Sequence, residues 1–328
     1  MEPCSNYLGM LDNKYILVKE LYSNDTSQTY KVFDSFTEKE FIAKIFNTDI
    51  NSDNTEIEIN KTISRNGSPL FLKYINFFSG PFILDEIEEY NRHYILFEYA
   101  NKGNLMEYLN IKNSGFIEKI AKIIFFKILK TIQVLQELGI CLKNIKLENI
   151  LLDGNDFDLK LSNFEYASIF LNKKGEKILL QEKVMTFSNA APEVNKGMKY
   201  CGEKAHVFNL GLLLFSLISG SHGFNATKTQ SSSTDRNEQL YKLIKENKLQ
   251  TFWKLIEART GKKFSPELKK LLIKMLAINP KERPTLEEIY KDEWMKEIIS
   301  LSENELKNYE QVYINEMKNR NEMLCNMK

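Results

Sequence analysis

The alternation of apolar and polar residues predicts a small β-rich region in the first third of the chain. KYILVKEL and SQTYKVFD alternate with a period of two and EFIAKIF is a short apolar run, so strands are expected within residues 14–46. Residues 54–63 (NTEIEINKTI) predict a helix, which Gly and Pro end within residues 64–69. LFLKYINFF and RHYILFEYA predict two more strands.

The rest of the chain is predicted to be mostly helical. Apolar residues recur at helical spacing over residues 105–138, and helical patterns return from residue 192 onward. Between them, NILLD and LKLSNF predict a short strand pair around the turn DGND. The expected fold class is therefore α+β.

The last segment, residues 302–328, predicts an amphipathic helix. Ser302 and Glu305 form the capping-box pattern S-x-x-E at its start. An apolar stripe follows near one helical face, made by Leu306, Tyr309, Tyr313, Met317, Leu324 and Met327. Such a stripe must be covered, either by the chain's own domain or by a partner protein or second copy.

Composition excludes several classes of function. The 328 residues carry 45 basic and 44 acidic side chains, and this balance gives no general attraction to nucleic acid or to a membrane surface. The longest apolar run, residues 210–218, is too short to span a bilayer, and the first residues show no signal-peptide pattern. The four cysteines lie far apart in the sequence, without metal-ligand or redox spacing. We expect a cytoplasmic protein with reduced thiols.

Lys44 lies inside the apolar strand pattern FIAKIF and predicts a buried ion pair. An unpaired ammonium group in an apolar interior is very costly, so a carboxylate is expected close to it. Glu56 and Glu58 of the predicted helix are the two candidates. The pair could be purely structural, or it could hold the lysine in place to contact a phosphate.

Several motifs in order resemble those of the protein kinase family. They are AKIF, the loop CLKNIKLENILLD, LKLSNFEYA, APEV and NPKERPTLEEI, and the resemblance as a whole covers residues 14–298. Within this family the sequence most resembles the calcium/calmodulin-dependent group. The segment EKAHVFNLGLLLF and the C-terminal tail resemble the corresponding segments of ciliate kinases.

This resemblance implies a bilobal kinase-like fold, with a small β-rich N-lobe containing one helix, a larger α-helical C-lobe and an added C-terminal helix. The implied boundaries are an extension at 1–13, the N-lobe at 14–97, a hinge at 98–103, the C-lobe at 104–299 and the tail helix at 300–328.

The resemblance also assigns residues to an ATP site. Lys44 matches the phosphate-contacting lysine, and Glu56 matches its helix partner. Glu98 to Ala100 match the hinge, whose backbone binds adenine. Further matches are Asn149 to a metal-holding asparagine, Leu151 to an adenine contact, Lys146 to the catalytic-loop lysine, Phe97 to the gatekeeper, and Glu193 with Arg283 to a buried ion pair.

The chain departs from the kinase motifs where charge is needed. Asn144 stands at the position of the catalytic aspartate, and Asn163 stands at the position of the metal-binding aspartate. The glycine-rich loop is replaced by YSNDTSQTY, with Tyr22, Asn24 and Ser27 at the three glycine positions. His206 and Leu142 replace the aspartate and histidine that anchor the catalytic loop.

These departures predict a pseudokinase: not an enzyme, with no catalytic residue and no metal site, acting as a scaffold or allosteric protein-binding module. The alternative is residual ATP binding, or a weakly active Ser/Thr kinase with unusual metal handling. No cofactor is expected, although ATP could bind without a metal. A protein partner is expected, and residues 302–328 are a candidate contact for it. A cytoskeletal or ciliary location is a further hypothesis. The activation segment is expected to hold its shape without phosphorylation.

Overall fold

The computed structural model describes residues 8–48, 54–84, 87–112, 115–143, 145–181, 190–221 and 236–327. The chain divides into two compact units, with the boundary between Asn101 and Lys102. Asn144 lies outside the described residues, as do two hydroxyl residues of the predicted activation segment, Thr186 and Ser188. The predicted boundaries of the extension, the N-lobe, the hinge, the C-lobe and the tail helix stay predictions.

The first unit is a closed antiparallel β-barrel with one helix. Its strands are β1 (Gly9–Leu11), β2 (Tyr15–Ser23), β3 (Ser27–Asp34), β4 (Glu40–Phe46), β5 (Tyr74–Leu84) and β6 (Ile87–Glu98). The strand order is β1-β2-β3-β4-β6-β5, and β1 closes the barrel by pairing with both β2 and β5. One face of each strand fills the interior, which is why these sequences alternate. The core consists of Leu11, Tyr15, Leu17, Tyr30, Val32, Ala43, Ile45, Phe82, Tyr94 and Leu96.

The helix of this unit, α1, extends from Thr55 to Asn66, one turn beyond its predicted end. Asn54 caps it, because its side chain accepts a hydrogen bond from the Glu56 N–H at 2.9 Å. The helix ends at Gly67, which has a left-handed φ of 72°. The helix continues through Ser64 and Arg65 beyond the predicted pattern, and it stops at the glycine predicted to end it.

The second unit is mainly helical. Its helices are α2 (Leu105–Asn110), α3 (Glu118–Glu137), α4 (Pro192–Asn195), α5 (Gly202–Ser219), α6 (Arg236–Lys245), α7 (Leu249–Thr260), α8 (Pro266–Met275), α9 (Leu286–Tyr290), α10 (Glu293–Ile299) and α11 (Glu303–Met327). Its strands are β7 (Ile140–Cys141), β8 (Ile150–Asp153), β9 (Asp158–Leu161) and β10 (Ser168–Ile169), and 3₁₀ turns cover Leu147–Asn149 and Pro280–Glu282. The α+β fold class is confirmed, and β8 pairs with β9 as the predicted hairpin.

The helical pattern at 105–138 is two helices rather than one. Gly115, between α2 and α3, has a left-handed φ of 72°, and an added Cβ there would lie 2.6 Å from the carbonyl oxygen of Ile218. The next residue, Phe116, donates its N–H to the Leu217 carbonyl at 2.7 Å. The connection is therefore held tightly against the C-terminal end of α5, and a continuous helix could not make that contact.

The apolar run at 210–218 belongs to α5, a helix buried on nearly all sides. Gly211 allows this packing, because a Cβ there would lie 2.9 Å from Cδ2 of Leu276. Within the described part of the chain, every helix falls short of the length and apolar character needed to cross a membrane. The run is therefore the core of the second unit.

A buried ion pair braces the second unit, as predicted. Arg283 donates from Nη1 and Nη2 to the two carboxylate oxygens of Glu193, at 2.6 and 2.8 Å. The same guanidinium donates to the carbonyl of Ala277 at 2.8 Å and lies over the ring of Phe208. This bidentate geometry satisfies both charges inside the unit.

The tail helix α11 packs on its own unit. Tyr309, Tyr313 and Met317 of the predicted stripe are buried, and the Tyr313 hydroxyl donates to the carbonyl of Phe157 at 2.6 Å. The stripe is less complete at its end, because Met327 is 74% exposed. The predicted capping box is confirmed, since the backbone N–H of Ser302 donates to the Glu305 carboxylate at 2.8 Å. A partner that contacts α11 would therefore meet its outer face.

The sequence pattern missed the most deeply anchored residue of α11, Arg320. It is 2% exposed, and it donates to the carbonyls of Tyr108 at 2.8 Å and of Gly115 at 3.3 Å. It also pairs with Glu316 at 2.7 Å and stacks on the ring of Phe116. The predicted stripe contained only apolar and aromatic residues and so did not include Arg320, although this residue continues it one turn beyond Met317.

Replacing Arg320 by methionine should loosen the attachment of α11. The change keeps most of the side-chain volume but leaves buried carbonyls without donors, so we expect the free energy of unfolding to fall by roughly 3 kcal/mol. Urea denaturation measures this. Lys318→Met, on the exposed side of the same helix, is the matched control and should change stability by less than about 0.5 kcal/mol. Equal effects of the two changes would contradict the anchoring role of Arg320.

Candidate nucleotide site and catalytic loop

In the first unit, Lys44 and Glu56 form a buried bidentate pair. Lys44 lies on β4 between β3 and β6, and its Nζ donates to both carboxylate oxygens of Glu56, each at 2.8 Å. Glu58 points elsewhere and pairs with Lys61 at 2.9 Å. The prediction of a carboxylate beside Lys44 is confirmed, and the choice between the two candidates falls on Glu56.

The pair is held from both sides. Lys44 and Glu56 are 8% and 5% exposed, and the rigid strand β4 and the first turn of α1 carry them. The backbone carbonyl of Glu56 accepts a hydrogen bond from the Asn60 side chain at 2.9 Å, which satisfies this polar residue inside the unit. The ammonium group is thus fixed in position, as a lysine that binds a phosphate must be.

The predicted hinge residues continue from β6. The Glu98 N–H donates to the carbonyl of Lys73, and the Glu98 carboxylate accepts from the Lys73 N–H, both at 3.0 Å. Phe97 and Ala100, on either side of Glu98, are buried. The backbone here is therefore fixed by contacts within the first unit.

In the second unit, Asn149 and Leu151 lie at the start of the β8–β9 hairpin. The carbonyl of Asn149 accepts hydrogen bonds from the N–H and the hydroxyl of Ser162, at 2.9 and 3.0 Å. These bonds bring Asn149 next to the residue that precedes Asn163. The two amide residues of the predicted metal position are thus neighbours, while Leu151 is partly buried opposite Lys160.

Asn163 has a left-handed backbone conformation with φ of 63°. Asparagine tolerates this conformation better than most residues. Its side-chain oxygen accepts from the Glu165 N–H at 3.3 Å, and Phe164 between them is buried. The side-chain oxygen of Asn163 thus accepts a hydrogen bond from its own loop backbone.

These residues fit a divalent metal poorly. Mg²⁺ prefers anionic oxygen ligands, whereas Asn149 and Asn163 offer neutral amides. Across the part of the chain that the structure describes, there is also no group of three His, Cys, Asp or Glu side chains placed to hold a metal. We therefore derive no step of a reaction through a metal at these residues.

His206 of α5 anchors the catalytic loop through a different chemistry from that of the family's aspartate. Its Nε2 accepts a hydrogen bond from the backbone N–H of Leu142 at 2.7 Å. Its Nδ1 has no hydrogen-bond partner among the described residues. Asn209, one turn further along α5, donates to the carbonyl of Lys143 at 3.2 Å. Both usual anchor residues are replaced, yet the loop backbone is still attached to α5.

Comparison with known proteins decides the family. The family model described as protein kinase domain matches residues 15–295, most of the chain. The chain belongs to the protein kinase family. Two rice (Oryza sativa subsp. japonica) proteins, CBL-interacting protein kinases 26 and 30, are each 30% identical to it, over 203 and 207 residues. These matches cover 62% and 63% of this chain but 37% and 39% of the relatives, so the chain spans about two fifths of their length.

The prediction that this kinase domain is not an enzyme is wrong. Its match to the protein kinase family model over residues 15–295, and its relatives that are protein kinases, indicate an enzyme instead. The prediction rested on the amides at Asn144 and Asn163 together with the replaced glycine-rich loop. Phosphoryl transfer depends mostly on positioning and electrostatics, so losing one general base lowers the rate without removing these contributions.

The start of the kinase activation segment is held by backbone contacts. The Phe170 N–H donates to the carbonyl of Gly139 at 2.7 Å, next to the pairing of β10 with β7. Leu180 and Tyr200 exchange two backbone hydrogen bonds at 2.9 Å each. A shape that is independent of phosphorylation stays a prediction, because residues 182–189 lie outside the described ranges.

The buried imidazole of His206 gives a testable pH dependence. Burial lowers its pKa to about 3 from an ordinary value of 6.5. The unfolded chain takes up a proton near pH 6.5, while the folded protein refuses it until about pH 3. Keeping His206 neutral in the fold therefore costs no stability above pH 6.5. As the pH falls below that value, the free energy of unfolding decreases by at most about 1.4 kcal/mol per pH unit.

We expect His206→Gln, which keeps a hydrogen-bond acceptor but cannot be protonated, to lose less stability than the wild type on acidification. Urea denaturation between pH 7 and pH 4.5 measures the difference, because the carboxylates contribute equally to both proteins. If the free energy of unfolding changed with pH in the same way for both proteins, His206 would take up a proton as readily in the folded as in the unfolded chain, which contradicts the prediction.

Proposed function

We propose that this chain is a Ser/Thr protein kinase domain that binds adenine nucleotides and transfers a phosphoryl group slowly. The buried pair of Lys44 and Glu56 is the observation that carries the proposal. Kinases use such a pair to place a lysine against the α- and β-phosphates of ATP. The fixed hinge backbone from Glu98 to Ala100 supports adenine binding beside it.

A purely structural role explains the pair less well. Replacing a buried ion pair by apolar residues of similar volume is often neutral or stabilising, so stability alone gives little reason for it. The bidentate geometry holds the Lys44 ammonium in a fixed direction, which is what contact with a phosphate requires.

The low rate follows from the two amides. Asn144 cannot accept a proton from a substrate hydroxyl, and the loss of a general base costs about 10²–10⁴ in rate. Asn163 adds no negative charge to hold a metal. Nucleotide binding is therefore expected without Mg²⁺, and transfer is expected to be slow and unusual in its metal preference.

The finer biology of this kinase domain is proposed by analogy. The motifs in the sequence favour the calcium/calmodulin-dependent group and a ciliate type, whereas the relatives named above are plant kinases. The names of those relatives state that they interact with CBL proteins. For this chain we propose a protein partner that meets the outer face of α11, with a cytoskeletal or ciliary location as the prediction to test.

A phosphotransfer assay tests the proposed activity. The purified chain, radiolabelled ATP and Ser/Thr peptides are incubated with Mg²⁺, with Mn²⁺ and without metal. We expect slow incorporation, about 10²–10⁴ below the 1–100 s⁻¹ of ordinary kinases. Restoring the carboxylates by Asn144→Asp and Asn163→Asp should raise the rate. Absence of label from the wild type and from the restored variant would exclude the proposal.

Variants of the pair separate catalysis from folding. Lys44→Met should abolish transfer but leaves the Glu56 carboxylate buried without its ammonium partner, so the double variant Lys44→Met, Glu56→Met is needed as well. It should fold, because no unpaired charge remains, and it should still fail to transfer. Lys39→Met, at an exposed position before β4, is the matched control and should keep the wild-type rate.

A further inference from the structure

The turn that joins β2 to β3 is filled by the side chain of Asn24. Its Oδ1 accepts hydrogen bonds from the backbone N–H groups of Thr26 and Ser27, at 2.9 and 2.8 Å. The same oxygen accepts from the hydroxyls of Thr26 and Ser27, at 2.8 and 3.4 Å. The side-chain oxygen of Asn24 thus accepts hydrogen bonds from both the backbone N–H groups and the hydroxyls of Thr26 and Ser27.

The turn is also held from outside. The Asn24 N–H donates to the carbonyl of Ser27 at 3.0 Å, and Ser27 is fully buried. The side chain of Asn47 donates to the carbonyls of Asn24 and Asp25, at 3.1 and 3.2 Å, and its N–H donates to the carbonyl of Thr26 at 2.9 Å. The conformation that Asn24 fills is therefore fixed by its neighbours.

This turn replaces the glycine-rich loop, which in kinases covers the phosphates of ATP. Backbone N–H groups bind a phosphate oxygen when they are free and converge on one point. In this chain the N–H groups of Thr26 and Ser27 converge on a point that Asn24 already occupies. The neighbouring carboxylate of Asp25 adds a charge that repels phosphate.

We propose that Asn24 takes the place of a nucleotide phosphate in this turn, so that the domain does not distinguish ATP from ADP. This inference rests on the proposed nucleotide binding and deepens it, because it names the class of ligand. Recognition comes from the adenosine part and from Lys44, while the turn contributes no phosphate contact. Asn24 is a specificity-determining residue of the site.

The test compares the binding of adenosine, ADP and ATP, without metal, to three proteins by titration calorimetry. For the wild type we expect ATP and ADP to bind within about threefold of each other, and both to bind more tightly than adenosine because Lys44 contacts their phosphates. Asn24→Ala removes the acceptor and frees two N–H donors, so ATP and ADP should bind about tenfold tighter while adenosine is unchanged. Asn24→Asp keeps an acceptor of the same shape and should show no gain.

Amide hydrogen exchange gives an independent readout. Exchange at Thr26 and Ser27 should be faster by about tenfold or more in Asn24→Ala, because these N–H groups lose their acceptor, and unchanged in Asn24→Asp. If Asn24→Ala unfolds, Asn24→Gly serves instead, since glycine is tolerated in any turn conformation.

The outcomes separate the two proposals. Wild-type protein that binds ATP tenfold tighter than ADP, or an Asn24→Ala protein without a gain for ATP, would overturn the role of Asn24 and leave nucleotide binding intact. Failure of all three ligands to bind to either protein would overturn nucleotide binding itself, and with it the inference.

Discussion

A charged or polar side chain that leaves water must find an opposite charge or a set of hydrogen bonds, and this constraint shapes the interior of both units. Lys44 and Glu56 satisfy each other inside the barrel, and Arg283 and Glu193 do so among the helices. Arg320 meets the same demand with two backbone carbonyls, a carboxylate and an aromatic ring. Each arrangement links elements that are distant in sequence. The polar contacts therefore fix how the apolar faces pack.

Two positions show how a contact can survive a change of residue. His206 offers a neutral acceptor to the loop N–H of Leu142, although a carboxylate is the family's usual anchor. Asn24 offers an amide oxygen to the N–H groups that usually meet a phosphate. The backbone keeps its hydrogen bonds in both cases, while the charge at the site changes. The geometry of a kinase domain is thus more tolerant of substitution than its electrostatics.

The same distinction explains why the prediction of an inactive protein was wrong. The sequence states correctly that Asn144 and Asn163 are amides, and amides are poor bases and poor metal ligands. The presence of these amides does not reveal how strongly the rate of phosphoryl transfer depends on the two positions. Phosphoryl transfer draws most of its catalysis from positioning and electrostatics, and under the proposed function Lys44 and Glu56 supply part of that positioning. A domain can keep these and lose speed without losing its reaction.

The sequence by itself determined the features that depend on neighbours along the chain. The strand alternation, the capping box of Ser302 and Glu305, the order of motifs and the need for a carboxylate beside Lys44 follow from local periodicity and from the cost of burial. The pattern Asn-Asp-Thr-Ser at the turn is also a local signal that a side chain caps the turn, although its most evident feature is the absence of glycine. The family resemblance already assigned Glu56 to Lys44, and the structure confirms that contact. Only the tertiary structure decided that His206 bonds to Leu142 and that α11 is anchored by Arg320. These contacts join residues far apart in sequence, and the packing of whole elements, which no local pattern encodes, brings them together.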